Sequence, residues 1–145
     1  MTEVEAIIAE AAPLPLKDAA YALWRQRFRL NTLEGRPTDE DVRAFRAMSP
    51  AEQAAVMRHD REYAQDGPAF GHLKAAHPRV SDAEIKQAII SAVKFESACF
   101  KYFVDDSTDY WERCVRAVAQ AAKENPGFLD NTYRRAENDV AYYYK

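Results

Sequence analysis

The chain has 145 residues, of which 48% are hydrophobic and 30% charged, and this excludes a disordered tail, a collagen-like repeat and a rod made only of coiled coil. A net charge of -3 offers no large positive field to nucleic acid or anionic lipid, so nucleic-acid binding is disfavoured. No segment approaches the roughly 20 apolar residues of a membrane span, and we expect no membrane association.

Helix is favoured along the whole chain, because it has only four glycines, many alanines and no strand-like alternation. Hydroxyl side chains followed by an acidic residue indicate helix starts at Thr38, Ser49 and Ser81, and Ser107 or Thr108 indicates a further one. Short Pro- and Gly-containing breaks separate the helices. The predicted helices span residues 2–12, 16–33, 38–48, 50–65, 69–76, 82–104, 108–124 and 127–143. We therefore expect an all-α single-domain bundle of about six to eight helices over residues 1–145.

The aromatic residues predict where the main core lies. Eleven of the seventeen follow residue 72. The long helices near 82–104, 108–124 and 127–143 are therefore expected to build the core, with the first half of the chain packed on it.

Three polar residues fall on apolar helix faces when positions are placed about 100° apart. Glu96 lies among the apolar residues of the helix that starts after Ser81, and Glu137 lies at the edge of the apolar stripe of the last helix. His59 shares a face with apolar residues of the helix that starts after Ser49. A buried carboxylate has to be paired, hydrogen-bonded, protonated or bound to a metal, because an isolated buried charge costs several kcal/mol.

These residues allow three interpretations. The favoured one is a half-buried network in which Glu96 and Glu137 meet Arg58, His59, Tyr133 or Tyr144. The second is a small-ligand pocket that binds through Glu96, Tyr133 and Glu137. The third is a divalent metal site, which would use four residues on three helices: His59, Glu62, Glu96 and Glu137. Two-metal bundles carry paired Glu-x-x-His motifs, whereas this chain has one pair in reversed order, so no cofactor is the first expectation.

A protein partner could be contacted at two places. Arg25 and Arg29 project together on a predicted helix whose core stripe includes Trp24 and Phe28, while Arg27 points nearly opposite, which is typical of a solvated face with some capacity for partner contact. The tyrosines of the run that includes Tyr142 and Tyr143 diverge by 100° steps, so some are exposed or covered by another subunit.

Other polar groups have structural interpretations. His72 and His77 are expected at the surface, because a spacing of five does not align two ligands on a helix. The acidic run 105–109 is expected to cap the helix that follows. Cys99 and Cys114 fall on apolar faces, where a thiol is usually inert.

The function predicted from these observations is protein–protein association in a regulatory or accessory role, with a protein partner or by self-association as a homodimer. Enzymatic activity is not expected, because the chain has no Gly-rich phosphate loop and no evident nucleophile–base pair. The alternative is a bundle that binds a metal ion or small ligand through buried carboxylate and histidine groups. An acidic start without a secretory signal and two cysteines suited to a reducing compartment predict a cytoplasmic location.

Overall fold

The computed structural model of the chain describes residues 1–63, 68–106 and 108–144, with side chains for all of these except 59–63 and 68. The predicted all-helical bundle is confirmed, since these ranges form nine α-helices and no strand. No helix within them is both long and apolar enough to cross a membrane. The helices are α1 (Glu3–Ala11), α2 (Leu16–Trp24), α3 (Arg27–Leu33), α4 (Asp39–Ala47), α5 (Pro50–Tyr63), α6 (Pro68–Ala76), α7 (Asp82–Lys101), α8 (Tyr110–Glu124) and α9 (Asp130–Tyr144).

The predicted helix starts at Thr38, Ser49 and Ser81 are confirmed by the side-chain caps. Each hydroxyl accepts a hydrogen bond from the backbone N–H three residues later, which satisfies one of the unpaired donors at the helix start. The start of α8 is capped by Asp109, which accepts from the backbone of Trp111 and Glu112. This confirms that the acidic run 105–109 caps the helix that follows, whereas Thr108 is not the cap. Ser107 lies outside the described residues.

One predicted helix, 16–33, is two helices in the structure. The N–H of Arg25 still donates to the Tyr21 carbonyl, whereas the N–H of Gln26 donates to Leu23, only three residues back. α2 therefore ends at Trp24 and α3 begins at Arg27. The freed carbonyl of Trp24 accepts a hydrogen bond from the Arg27 guanidinium at 3.0 Å. Since the break resets the helical phase, Phe28 is 72% exposed instead of lying in the predicted core stripe.

The core is centred on α7, which buries residues on several sides: Ile85, Ala88, Ile89, Ala92, Val93, Phe95, Ala98 and Cys99. Its most extensive packing is against α2, followed by α8. The three long helices predicted to build the core, α7, α8 and α9, all contribute buried residues to it. α9 buries only Thr132, Ala136 and Val140, whereas most of α2 is buried, so α2 belongs to the core as well. The small residues Ala19 and Ala20 let α2 lie close to its neighbours.

Candidate functional site

Glu96 occupies a half-buried charged cluster where α7 meets α2 and α3. Its carboxylate accepts hydrogen bonds from the Arg27 guanidinium at 3.0 and 3.2 Å and from the Trp24 indole N–H at 3.1 Å. The guanidinium also lies 4.1 Å from the centre of the Trp24 ring, a cation–π arrangement. Both Glu96 oxygens are therefore engaged, and the partners are these two residues rather than Tyr133 or Tyr144.

Tyr133 and Glu137 are the other two residues of the predicted ligand pocket. Their contacts differ from those of Glu96. The Tyr133 hydroxyl donates to the backbone carbonyl of Asn125 at 2.8 Å, and its ring packs edge-on against Phe95. Glu137 is half-buried, and this burial raises the pKa of its carboxyl while the charge of Arg134 acts in the opposite direction. No described hydrogen bond joins Glu96, Tyr133 and Glu137, so a ligand pocket formed by the three stays a prediction.

The predicted metal site is only partly covered by the structure. The side chains of His59 and Glu62 lie outside the described residues, and Glu96 is held by Arg27. Among the residues that are described, no group of three or more His, Cys, Asp or Glu side chains is arranged to hold an ion. Metal binding therefore stays a prediction.

Arg25 and Arg29, which were predicted to form one solvated face, differ from each other in burial and in partner. Arg25 is half-buried and pairs with Asp139 of α9 through two hydrogen bonds of 2.7 and 2.9 Å. The Tyr21 hydroxyl donates to the same carboxylate at 2.8 Å, and burial, followed by this charge, raises the pKa of Tyr21 well above its usual value. Arg29 is exposed and pairs with Glu3. Arg25 thus holds two helices together, which sequence analysis missed.

The prediction that His72 lies at the surface is wrong. α6 packs against α1, α2, α3 and α7, so its inward face is enclosed and His72 is only 7% exposed. The Nε2 atom of His72 lies 2.6 Å from the Glu34 carboxylate at the end of α3. His77, at the end of the same helix, is half-buried.

Asp18 is the most deeply buried carboxylate of the described residues, at 1% exposure, and the sequence analysis did not single it out. Its Oδ1 atom accepts from the Leu129 backbone N–H at 2.8 Å and from the Thr132 hydroxyl at 2.5 Å. It therefore caps the start of α9 from α2. One signal was available, since Asp18, Tyr21 and Arg25 share a face of α2 at spacings of three and four.

An exposed aromatic surface lies where the end of α7, the start of α8 and the end of α9 meet. Phe100, Phe103 and Tyr110 form its base, on which Tyr143 and Tyr144 pack, with Phe103 and Tyr144 stacked at 4.2 Å between ring centres. Its large exposed side chains, with their exposed fractions, are Val104 (58%), Trp111 (45%), Tyr142 (84%), Tyr143 (70%) and Tyr144 (40%). We call these eight residues the aromatic surface.

Two arginines at the margin of the aromatic surface are paired within the chain. Arg113 contacts Asp105 at 2.6 Å and lies over the Phe103 and Tyr110 rings, while Arg116 contacts Asp106 at 3.2 Å. The surface therefore presents apolar rings with neutralised ion pairs beside them.

Neither cysteine offers a reactive thiolate. Cys99 and Cys114 are buried and not in a disulfide. Burial raises the pKa of Cys99 to about 12 and also raises the pKa of Cys114, so both thiols stay protonated near neutral pH.

No known protein-family model matches the chain, and comparisons with curated proteins and with solved structures give no match either.

Proposed function

We propose that this protein acts by protein–protein association through the aromatic surface, in a regulatory or accessory role, and that the occupant of this surface is a second copy of the chain. The observation that carries the proposal is the exposure of Tyr142 and Tyr143, at 84% and 70%, beside rings that are already packed. Soluble proteins rarely leave such large apolar groups clustered and uncovered.

The surface has the composition that favours association. Tyrosine and tryptophan contribute much contact area for little loss of side-chain entropy, and they are enriched at the centres of interfaces. The stacked pair of Phe103 and Tyr144 and the hydrogen bond of 2.5 Å from the Tyr110 hydroxyl to the Ala141 carbonyl fix the base of the surface before any partner arrives. Preorganisation of this kind lowers the entropy cost of binding.

A second copy fits this surface better than a strongly charged partner does. Arg113 and Arg116 at its margin are each paired with an aspartate, and the net charge of the whole chain is only -3. Two identical surfaces can therefore meet around a two-fold axis without strong repulsion.

The proposed location is the cytoplasm. The two cysteines are free and buried, as is usual for proteins of a reducing compartment.

Sedimentation equilibrium of the untagged protein tests the proposal. We expect the wild type to dimerise in the micromolar range and the double variant Tyr142→Ser/Tyr143→Ser to dimerise at least tenfold more weakly, because two exposed rings leave the interface. Met57→Ser, which replaces an exposed apolar side chain of α5, is the control and should dimerise as the wild type does. A wild type that is monomeric at about 100 μM, a concentration at which standard interfaces are occupied, contradicts the proposal.

A further inference from the structure

A groove of about 500 Å³ lies between α1 and α9, with α2 as its floor. Asp18, Tyr21 and Arg25 line the floor, and the groove shares no residue with the aromatic surface. Its volume lies within the roughly 300–1,000 Å³ that is typical of small-molecule sites.

The two sides of the groove differ in chemistry. The α1 side carries half-buried Ile7 and Leu14 together with the exposed Glu10 carboxylate. The α9 side carries Leu129, which is 44% exposed at the start of the helix, and four polar residues: Asn131, Arg134, Arg135 and Asn138. These four lie at spacings of three and four, so they form one stripe along the helix. Apolar side chains beside a row of hydrogen-bond donors suit an amphipathic occupant.

Two charged groups of the floor are held by the protein. Arg25 is paired with Asp139, and the Oδ1 atom of Asp18 accepts hydrogen bonds from Leu129 and Thr132. The Arg25 guanidinium is therefore already engaged, and both residues shape the floor of the groove.

The two arginines of the stripe are held much more loosely. Arg135 lies 3.8 Å from the exposed Glu10 carboxylate, which is longer than a hydrogen bond. Arg134 lies 3.4 Å from the side-chain oxygen of Asn131, and its charge partly offsets the rise that burial causes in the pKa of Glu137. Two guanidinium groups thus stand at the groove with weak partners, and guanidinium is the group best suited to grip a carboxylate with two parallel hydrogen bonds.

We infer that this groove binds a small amphipathic carboxylic acid, with the carboxylate on Arg134 and Arg135 and the hydrocarbon chain along Ile7, Leu14 and Leu129. The inference goes beyond the proposed association, because it concerns another face of the molecule and another class of ligand. A free inorganic anion would use the arginines but leave the apolar side chains uncovered, and a neutral hydrocarbon would leave the donors unpaired.

Isothermal titration calorimetry with hexanoate, octanoate and decanoate tests the site on the untagged full chain. We expect octanoate to bind with a Kd of about a millimolar or lower, and affinity to rise about two- to fourfold with each methylene, as apolar burial requires. Arg134→Gln/Arg135→Gln should weaken octanoate binding at least tenfold. Leu129→Ser should reduce the dependence on chain length.

The matched control is Arg43→Gln/Arg46→Gln, which removes the same charge from exposed positions of α4 and should bind octanoate as the wild type does. Circular dichroism of each variant checks that the fold is retained. Absence of octanoate binding to the wild type, equal weakening in both arginine double variants, or an affinity independent of chain length overturns the inference. Octanoate binding with the expected pattern by a protein that is monomeric supports the groove while contradicting the proposed dimer, so the two proposals fail separately.

Discussion

Replacement of Asp18 should show how much stability depends on a single carboxylate that caps α9 from another helix. Its Oδ1 atom accepts two hydrogen bonds, from the Leu129 backbone and the Thr132 hydroxyl, at 1% exposure. Hydrogen bonds to a charged group contribute about 1.5–3 kcal/mol each. Since Asp18 lines the groove, water can replace part of this loss in an alanine variant. We therefore expect Asp18→Ala to lower the free energy of unfolding by about 3 kcal/mol.

Asp18→Asn separates the contribution of the hydrogen bonds to stability from the contribution of the charge. The amide oxygen can still accept both hydrogen bonds, but the favourable interaction of a carboxylate with the start of α9 is lost, so the expected cost is about 1 kcal/mol. Asp130→Ala is the control, because Asp130 is an exposed acidic residue in the first turn of the same helix and its loss should cost less than about 1 kcal/mol.

Urea unfolding at pH 7, followed by circular dichroism at constant m-value, measures the three variants. If Asp18→Ala is no less stable than Asp130→Ala, Asp18 does not cap α9 in the way the contacts indicate.

Three further predictions concern the other titratable groups. A double-mutant cycle of Arg27→Gln and Glu96→Gln should give a coupling of about 1–2 kcal/mol in urea unfolding, and additive effects would contradict the pairing. Burial raises the pKa of Glu137 in the folded protein above its value in the unfolded chain. The folded protein therefore loses the stability that a neutral Glu137 contributes as the pH rises through the folded-state pKa. Glu137→Gln should therefore raise Tm at pH 7 and have no effect on Tm below about pH 4. The exposed control Glu112→Gln should change Tm little at either pH. A lower Tm of Glu137→Gln at pH 7 would refute this prediction. Cys99, with its pKa raised to about 12, should react with a disulfide reagent at pH 8 on the order of a thousandfold more slowly in the folded than in the unfolded protein, and comparable rates would show that it is accessible.

The helical class and most helix starts could be predicted from the sequence because they depend on local chemistry. Thr38, Ser49 and Ser81 cap their helices with hydroxyl groups, and the pattern is visible within four residues. The break at Arg25 and Gln26 could not be predicted in this way. Neither residue is a glycine or proline, and both have good helix propensity, so the break depends on packing that the local sequence does not encode.

Glu96 shows how far the candidate sites could be predicted from the sequence. Its place on an apolar face marked it as a carboxylate in need of a partner, and the structure pairs it with Arg27. The identity of that partner depends on how α2 and α3 dock on α7, across 69 positions of sequence. Asp18 and Thr132 are joined across 114 positions. The groove could not be predicted for the same reason, because it exists only where α1 and α9 flank α2.

The packing of α2 against α7 also has a consequence for synthesis on the ribosome. The hydrogen bond from Trp24 to Glu96 joins residues 72 positions apart. At roughly 5–20 residues per second, the ribosome needs several seconds to make the intervening chain. During that interval α2 has been made while α7 has not, so the apolar face of α2 can be covered only by helices made before α7, such as α1 and α6, or by a chaperone.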